Sequence, residues 1–276
     1  MAAVLFRQRR FPMKTITFIG SGNVATHLAQ AFRMAGHNIL QIFSREFDHA
    51  ERLAERVFAE PVDKMELLYP TADVYVLAVS DNSLYDLALD LRFRDALVLH
   101  TSGATSLDIL KPISRRCGVL WSPQSFVRDE KMDYSELPFC IEGSTSGVAD
   151  TIAELAASVS SHIYRLNGTQ RQYLHLAAVL TNNFGNALNA LAQDVLKSQG
   201  IPFKVLLPII AATAQKAMEI AGCPQNRLWS QQTGPAIRRD DKTILLHRKL
   251  LQDDPELMKL YEQMTSVIQD KTARRH

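Results

Sequence analysis

The sequence predicts an α/β protein, with a parallel sheet and crossover helices over residues 13–166 and an all-α domain over 167–276. Three observations predict it. Short β-type runs alternate with helical patterns through the first half, as strands joined by crossover helices do. A glycine-rich turn stands between the first such run and the first helical pattern. Beyond Asn167-Gly168 the β-type runs stop, and only long helical periodicities remain.

The elements follow in order. Lys14–Ile19 is the first strand, rich in Thr, Ile and Phe. Apolar Val24, Leu28, Ala31, Phe32 and Ala35 then recur at helical spacing, and Gly36 closes that helix. Asn38–Phe43 is the second strand, and Phe47–Val57 is a more polar helix. Asp73–Val79 is a continuous β-branched run and therefore a buried central strand. Ala96–Leu99 is another, ending at His100. Weaker strands are expected near Gly118–Trp121, Phe139–Glu142 and His162–Leu166, with a helix at Val148–Ser158. In the second half, helices are expected over Thr169–Ser198, Phe203–Ala221 and Asp240–Lys271, the last interrupted at Asp253-Asp254-Pro255.

Composition narrows the function classes. Hydrophobic residues make up 46% and charged residues 22% of 276 residues, an ordinary globular composition. The formal net charge is +2, but residues 1–12 carry Arg7, Arg9 and Arg10 without an acid. Removing that +3 leaves −1 for the remainder, so no basic face for nucleic acid is implied. Residues 1–12 read as a disordered extension, with a short transit segment as the alternative. Runs such as Val74–Val79 and Val205–Ala212 are too short to span a bilayer. Cys117, Cys140 and Cys223 are far apart and form no CxxC, which argues against a disulfide framework or a zinc site. No metal is expected, a reducing cytoplasmic setting fits, and each cysteine reads as a small buried hydrophobe.

The turn Gly20-Ser21-Gly22-Asn23-Val24-Ala25 follows a strand and opens an amphipathic helix, the context of a Rossmann-type dinucleotide site. The first glycine permits the tight turn and the second lets backbone approach a pyrophosphate. Ala25 keeps helix and strand close. Amides at the helix N-terminus would hold the anion. The second strand ends in Ser44-Arg45, where an NAD enzyme places an acid for the ribose 2′-hydroxyl; a guanidinium there pairs with a 2′-phosphate. NADP is therefore expected over NAD, although Glu46 and Asp48 follow at once.

Ligands of such sheets bind beyond the strands' carboxyl ends. Val79-Ser80-Asp81 lies at one such end, and Ser80–Ser83 also suits the cap of a following helix. His100-Thr101-Ser102-Gly103 lies at another, with His100 readable as an acid or as a buried, hydrogen-bonded imidazole. Trp121-Ser122-Pro123-Gln124-Ser125-Phe126 could wall a nicotinamide pocket, or be a proline turn with two core aromatics. On the helix after Gly168, His175, Asn182, Asn186 and Asn189 are spaced by seven, four and three residues, along one face. A reductase needs a proton donor, and His175 is the preferred one, with His100 in reserve. The alternative is an interhelical or dimer-interface network. Asn182, Gln124, Ser125, Ser102 and Arg238 would orient a substrate; Arg238 otherwise reads as a surface ion-pair partner, and Asp240 as a helix N-cap.

At these residues the chain resembles the Rossmann-like oxidoreductases usually labelled NADP oxidoreductase or deazaflavin-dependent reductase, from Met13 to about Ile268. The segments that carry the resemblance are Gly20–Ala25, His100–Gly103, Ser122–Phe126, His175–Asn183 and Thr233–His247. The most specific is Thr233-Gly234-Pro235-x-x-Arg238-x-Asp240-x-x-Thr243-x-x-x-His247. More distantly the layout is similar to pyrroline-5-carboxylate reductase and the 3-hydroxyacid dehydrogenases. The latter carry a Lys early on the corresponding helix with Asn four residues on. Here His175 is followed by Val179 at that spacing, and Asn arrives at 182 and 183. The resemblance implies a nicotinamide dinucleotide cofactor and a helical domain that dimerises. The function expected is an NADP(H)-dependent oxidoreductase acting on a small C=O or C=N substrate. The alternatives are a non-catalytic dinucleotide-binding sensor and a reductase using a deazaflavin coenzyme.

Overall fold

The structure, a computed structural model, describes residues 11–93, 95–221 and 228–273. Residues 1–10, with Arg7, Arg9 and Arg10, and residue Cys223 lie outside the described residues. The chain divides after Asn183 into two compact units.

The first unit is built on an eight-stranded sheet in the order β3-β2-β1-β4-β5-β6-β7-β8. Its strands are β1 Thr15–Ile19, β2 Asn38–Phe43, β3 Glu60–Val62, β4 Val74–Leu77, β5 Leu97–His100, β6 Cys117–Trp121, β7 Phe139–Gly143 and β8 Ile163–Arg165. The strands from β3 to β6 run parallel, and their order reverses between β1 and β4. Every residue of β4, β5 and β6 is buried, which is why these runs read as continuous apolar stretches. The parallel expectation gives way at one pair: β7 is antiparallel to β6, with Trp121 opposite Cys140. Residues 122–138 connect these strands without a crossover helix, and an antiparallel neighbour needs none. The short edge strand β3 has too little β-branched character for the sequence to have announced it.

Helices cover both faces. α1 Asn23–Met34, α2 Phe47–Val57 and α4 Ser146–Ala157 enclose one core with Phe18, Ile42, Val76, Leu99 and Phe139. α3 Asp81–Asp90 covers the other face with Leu77, Val98 and Ile113. α1 lies close because its inner face carries Ala25 and Ala29 beside Leu28 and Phe32, all essentially inaccessible. Full burial of Leu28 and Phe32 contributes about 1.5–3 kcal/mol each. Register then sets the functional edge. Ile19 pairs with Phe43 and with Leu77, and Leu77 pairs with His100. Four strands therefore end level, and their loops open on one side.

The long helix expected over Thr169–Ser198 is three pieces: α5 Gly168–Ala178, a π-helical segment Val179–Asn183, and α6 Phe184–Ser198. α5 starts with a reciprocal cap, in which the Asn167 side chain accepts from the Gln170 amide and Gln170 accepts from the Asn167 amide. The expected boundary was 167, but the first compact unit includes α5 and the π-helical segment. Its tie to the sheet is ionic: Glu142 on β7 accepts from Arg171 and, at 3.0 Å, from the Gly168 amide.

The second unit is helical, with α6, α7 Leu207–Ala221, α8 Pro235–Arg238, α9 Asp241–Leu250 and α10 Pro255–Ala273. The interruption expected near Asp253-Asp254-Pro255 separates α9 from α10. Asp240 caps α9 by accepting from the Thr243 amide at 3.1 Å and its hydroxyl at 2.8 Å. His247 Nδ1 lies 2.9 Å from the Tyr261 hydroxyl. Much of the most specific sequence motif is therefore architecture. Among the described residues, no helix is long and apolar enough to cross a membrane.

Candidate functional site

Gly20 has φ +115° and donates its amide to the Phe43 carbonyl at 2.9 Å. A Cβ on Gly20 would stand 2.2 Å from the Ala78 carbonyl oxygen, so only glycine lets β1 turn this close to β4. Gly22 is the N-cap of α1 with φ −74°, and a Cβ there would meet nothing within 4 Å. No side chain caps α1 and no acid sits in its first turn. The amides of Asn23, Val24 and Ala25, the first of α1, have no intrahelical carbonyl to bond and stand at the positive end of the helix dipole, and Gly22, Asn23 and Val24 line a cavity. That cradle fits an anion, and a pyrophosphate in particular.

Three cavities line the level strand ends. One of about 430 Å³ is walled by Gly20, Ser21, Ser44, Arg45, Val79 and Ser80, with Asp86 and Asp90 from α3. Glu46 and Asp48, the acids that follow Arg45, are not among its walls; Glu46 instead lies 3.4 Å from His49. Asp86 and Asp90 face this cavity, which their wide spacing from the turn had concealed. A second cavity, of about 470 Å³, shares Ala78, Val79 and Ser80 with the first and adds Gly22, Asn23, Val24, Asp81, Ser102 and Gly103. It also reaches Trp121 and His175. The third, about 330 Å³, shares Trp121 and His175 and adds Ser122, Gln124, Ser125, Asn182 and Asn183. Shared wall residues set the three side by side as a trough along the strand ends, with the His175 pocket at one end.

Side chains along the trough keep their hydrogen-bonding capacity. Ser80 caps α3 through the Ser83 amide at 3.4 Å and also lines two cavities. The Ser102 hydroxyl oxygen accepts from the Ala104 and Thr105 amides at 3.1 and 2.9 Å, which leaves its proton to donate. His175 is half-buried, its ring tilted 5.8 Å from that of Trp121. Gly103 permits this packing, because a Cβ there would lie 2.7 Å from the His175 ring and 2.8 Å from the Trp121 ring. The π-helical segment turns Asn183 as well as Asn182 toward the cavity, a residue that a uniform 3.6-residue period had not singled out.

His100 is placed differently. It is fully buried, accepts at Nδ1 from the Ser102 amide at 3.1 Å, and walls none of the three cavities. Burial, reinforced by the Arg171 guanidinium, pushes its imidazole down to about 4. Of the two readings, the buried, hydrogen-bonded imidazole is the one this geometry carries, and its task is to set the Ser102 loop. Arg238 belongs to the second unit, at the C-terminus of α8. Asn186 and Asn189 lie on α6, also in the second unit.

Sequence reasoning missed the residues that hold these loops. Arg171 is almost fully buried, pairs with Glu142 and donates to the Thr105 carbonyl, joining the His175 helix to the Ser102–Thr105 loop. Asn23 donates to the Phe126 carbonyl at 2.9 Å, and His27 Nε2 lies 2.7 Å from the Val127 carbonyl. Arg128 donates to the Ser21 carbonyl at 3.4 Å, which places a guanidinium beside the glycine turn. All are contacts over about 30 to 110 residues of sequence, so no local pattern announces them.

Comparison with known proteins agrees with this geometry. The sequence matches the Rossmann-like domain family over residues 6–122 and a domain of unknown function, DUF2520, over residues 137–268. A Bacteroides fragilis protein provisionally named an NADP oxidoreductase is 34% identical, with 94% of this chain and 98% of that one covered and a TM-score of 0.85. The chain belongs to the Rossmann-like DUF2520 family. For this DUF2520 protein, more distant structures show the fold alone. The imine reductase of Myxococcus stipitatus, solved with NADP+, is 16% identical over 95% of each chain with a TM-score of 0.66. The pyrroline-5-carboxylate reductase of Coxiella burnetii is 14% identical over 95% and 98%, with a TM-score of 0.56. No curated protein matches the sequence significantly.

Proposed function

We propose that this protein is an NADP(H)-dependent reductase of a small C=O or C=N compound. The observation that carries the reading is the row of adjoining cavities, which places the uncapped N-terminus of α1 between the Ser44-Arg45 strand end and a pocket lined by His175. The likeness to a protein provisionally named an NADP oxidoreductase supports it. A bound nicotinamide supplies hydride. The chain's own residues do the rest. The amides of Asn23 to Ala25 bind the pyrophosphate, and Arg128 adds charge at its rim. Ser44 and Arg45 receive the adenosine ribose, with Arg45 on its 2′-phosphate. Val79, Ser80 and Asp81 support the dinucleotide along its middle. Ser102, Gln124, Ser125 and Asn182 orient the substrate, and His175 delivers a proton to the oxygen or nitrogen that gains the electron pair. His100 acts at a distance, by fixing the loop that carries Ser102.

Calorimetry with NADPH and NADH tests the first half. NADPH is expected to bind more tightly. Arg45→Ala should weaken NADPH about 10- to 100-fold, the worth of a charge-assisted contact to phosphate, and leave NADH within about twofold. Equal losses for both would refute the 2′-phosphate role, and binding of neither would refute the reading.

The second unit is proposed to form a homodimer. Among its described hydrophobic residues only Ala236 and Ile244 are buried, while Val205, Leu207, Ile209 and Met218 are all more than half exposed. Helices of 15 and 19 residues with so little core of their own bury their apolar faces against something else. A second copy supplies a self-complementary face. Sedimentation should give twice the chain mass, and Ile209→Glu should shift the protein to the single-chain mass. A wild-type monomer at micromolar concentration would overturn the assignment.

A further inference from the structure

We infer that Asn23 and His27 are positioning residues that hang one wall of the substrate pocket on the cofactor helix, so that dinucleotide binding at α1 orders the loop carrying Gln124 and Ser125. This rests on the reductase reading above and adds to it a coupling between the two ligands.

That wall begins where β6 ends. Gln124 and Ser125 are exposed, line the 330 Å³ pocket, and belong to a loop that leaves the sheet after Trp121. The loop has little structure of its own. Among the described residues, the backbone of residues 122–132 makes two backbone hydrogen bonds, from Gln124 to the Ser122 carbonyl at 2.8 Å and from Glu130 to the Val127 carbonyl at 3.0 Å. Both are local, and neither joins the loop to the sheet. A segment without a ladder takes its order from the side chains that reach it.

Those side chains come from one direction. Asn23 Nδ2 donates to the Phe126 carbonyl at 2.9 Å, and His27 Nε2 lies 2.7 Å from the Val127 carbonyl. Arg128 donates to the Ser21 carbonyl at 3.4 Å, and Arg56 of α2 donates to Asp129 at 3.0 Å. All four tethers end on the glycine turn, α1 or α2, across 73 to 107 positions of sequence. His175 and Asn182, by contrast, line the same pocket from α5 and the π-helical segment. The Gln124–Ser125 wall is therefore tied to the helix that receives the cofactor.

His27 is suited to pin the loop. It is buried, and its ring lies 5.2 Å from the buried Phe126 ring. A carbonyl can only accept, so Nε2 carries the proton, and Nδ1 accepts from the Tyr134 hydroxyl at 3.2 Å. Asn23 is suited to couple it. It is exposed, and as the first residue of α1 its amide is among those without an intrahelical carbonyl. An anion on those amides fixes the Asn23 backbone, and its side chain then has less freedom to lose in holding Phe126. A ligand at α1 thus favours the ordered loop, and by linkage an occupied pocket favours the dinucleotide.

Amide hydrogen exchange on the full-length protein, with and without saturating NADP+, reads the coupling without substrate or turnover. In the wild type NADP+ should slow exchange in the first turn of α1 and also at residues 124–129. Asn23→Ala keeps the backbone amide and removes the side-chain donor at an exposed helix position, so Tm should hold. Without NADP+, its loop should exchange about two- to tenfold faster than the wild type's, the worth of one neutral hydrogen bond. With NADP+, the first turn of α1 should still slow and the loop should not. His27→Phe keeps a ring in the same space, removes both nitrogens, and should uncouple the loop in the same way. A loop that NADP+ slows equally in the wild type and both variants would overturn the inference, because contact with the cofactor itself would then protect it. Lower Tm with the NADP+ response of the loop intact would make the two residues merely structural and would overturn it as well. Wild-type protection confined to α1 would overturn the coupling alone, whereas NADP+ that slows no amide anywhere would overturn the cofactor reading and the coupling together.

Discussion

His175→Ala is expected to lower turnover about 10²- to 10⁴-fold while leaving NADPH affinity within about twofold. The expectation follows from where the side chain stands. His175 borders both the glycine-turn cavity and the pocket beyond it, which makes it a shared wall with Trp121. Its ring nitrogens have no hydrogen bond to another described residue, so they are free for a substrate atom. Its ring is held from two sides by Trp121 and by Gly103, where no Cβ intrudes. It contributes nothing to the amide cradle at Gly22 to Ala25, so cofactor affinity should not depend on it. Stopped-flow oxidation of NADPH on a substrate found by screening, with parallel calorimetry, reads both quantities. Unchanged turnover would remove His175 from the chemistry. A loss of cofactor affinity as large as the loss of turnover would make it a binding residue instead.

The sequence made some of this legible and hid the rest for identifiable reasons. The strand–turn–helix at 14–35 was readable because each of its constraints is local: β-branched residues, a glycine that must take positive φ, and apolar spacing on one helix face. Arg45 was readable because its position is fixed by a strand end. Asp86 and Asp90 reach the same cavity only because β4 lies next to β1 in the sheet, and that adjacency is not a property of any short segment. Asn183 was hidden by the π-helical segment, which breaks the single period on which the polar stripe was drawn. Arg171 is the extreme case. Isolated on an amphipathic helix it reads as a solvated charge, and its burial depends on Glu142 from a strand 29 positions earlier.

The two glycines of the turn should respond in opposite ways to substitution, and the contrast tests the cofactor site independently of any substrate. Gly20→Ala forces a side chain against the Ala78 carbonyl in a backbone conformation that L-residues rarely adopt. It should destabilise the fold by on the order of 2–4 kcal/mol, with cofactor binding lost as a consequence. Gly22→Asp is the informative partner. Its backbone is already extended at φ −74°, a Cβ meets nothing, and the position is an N-cap without a capping side chain. An Asp there would accept from the first-turn amides and complement the helix dipole, gaining a few tenths of a kcal/mol or more of stability. The same carboxylate would occupy the anion cradle and repel a pyrophosphate. NADPH affinity should therefore fall at least about 100-fold while Tm holds or rises. A thermal melt and a calorimetric titration on the same sample decide it. Gly22→Asp protein that melts as the wild type and still binds NADPH normally would mean that the amides of α1 face no phosphate. The trough would then have to serve some other ligand, and the sequence motif would be no more than a tight turn between a strand and a helix.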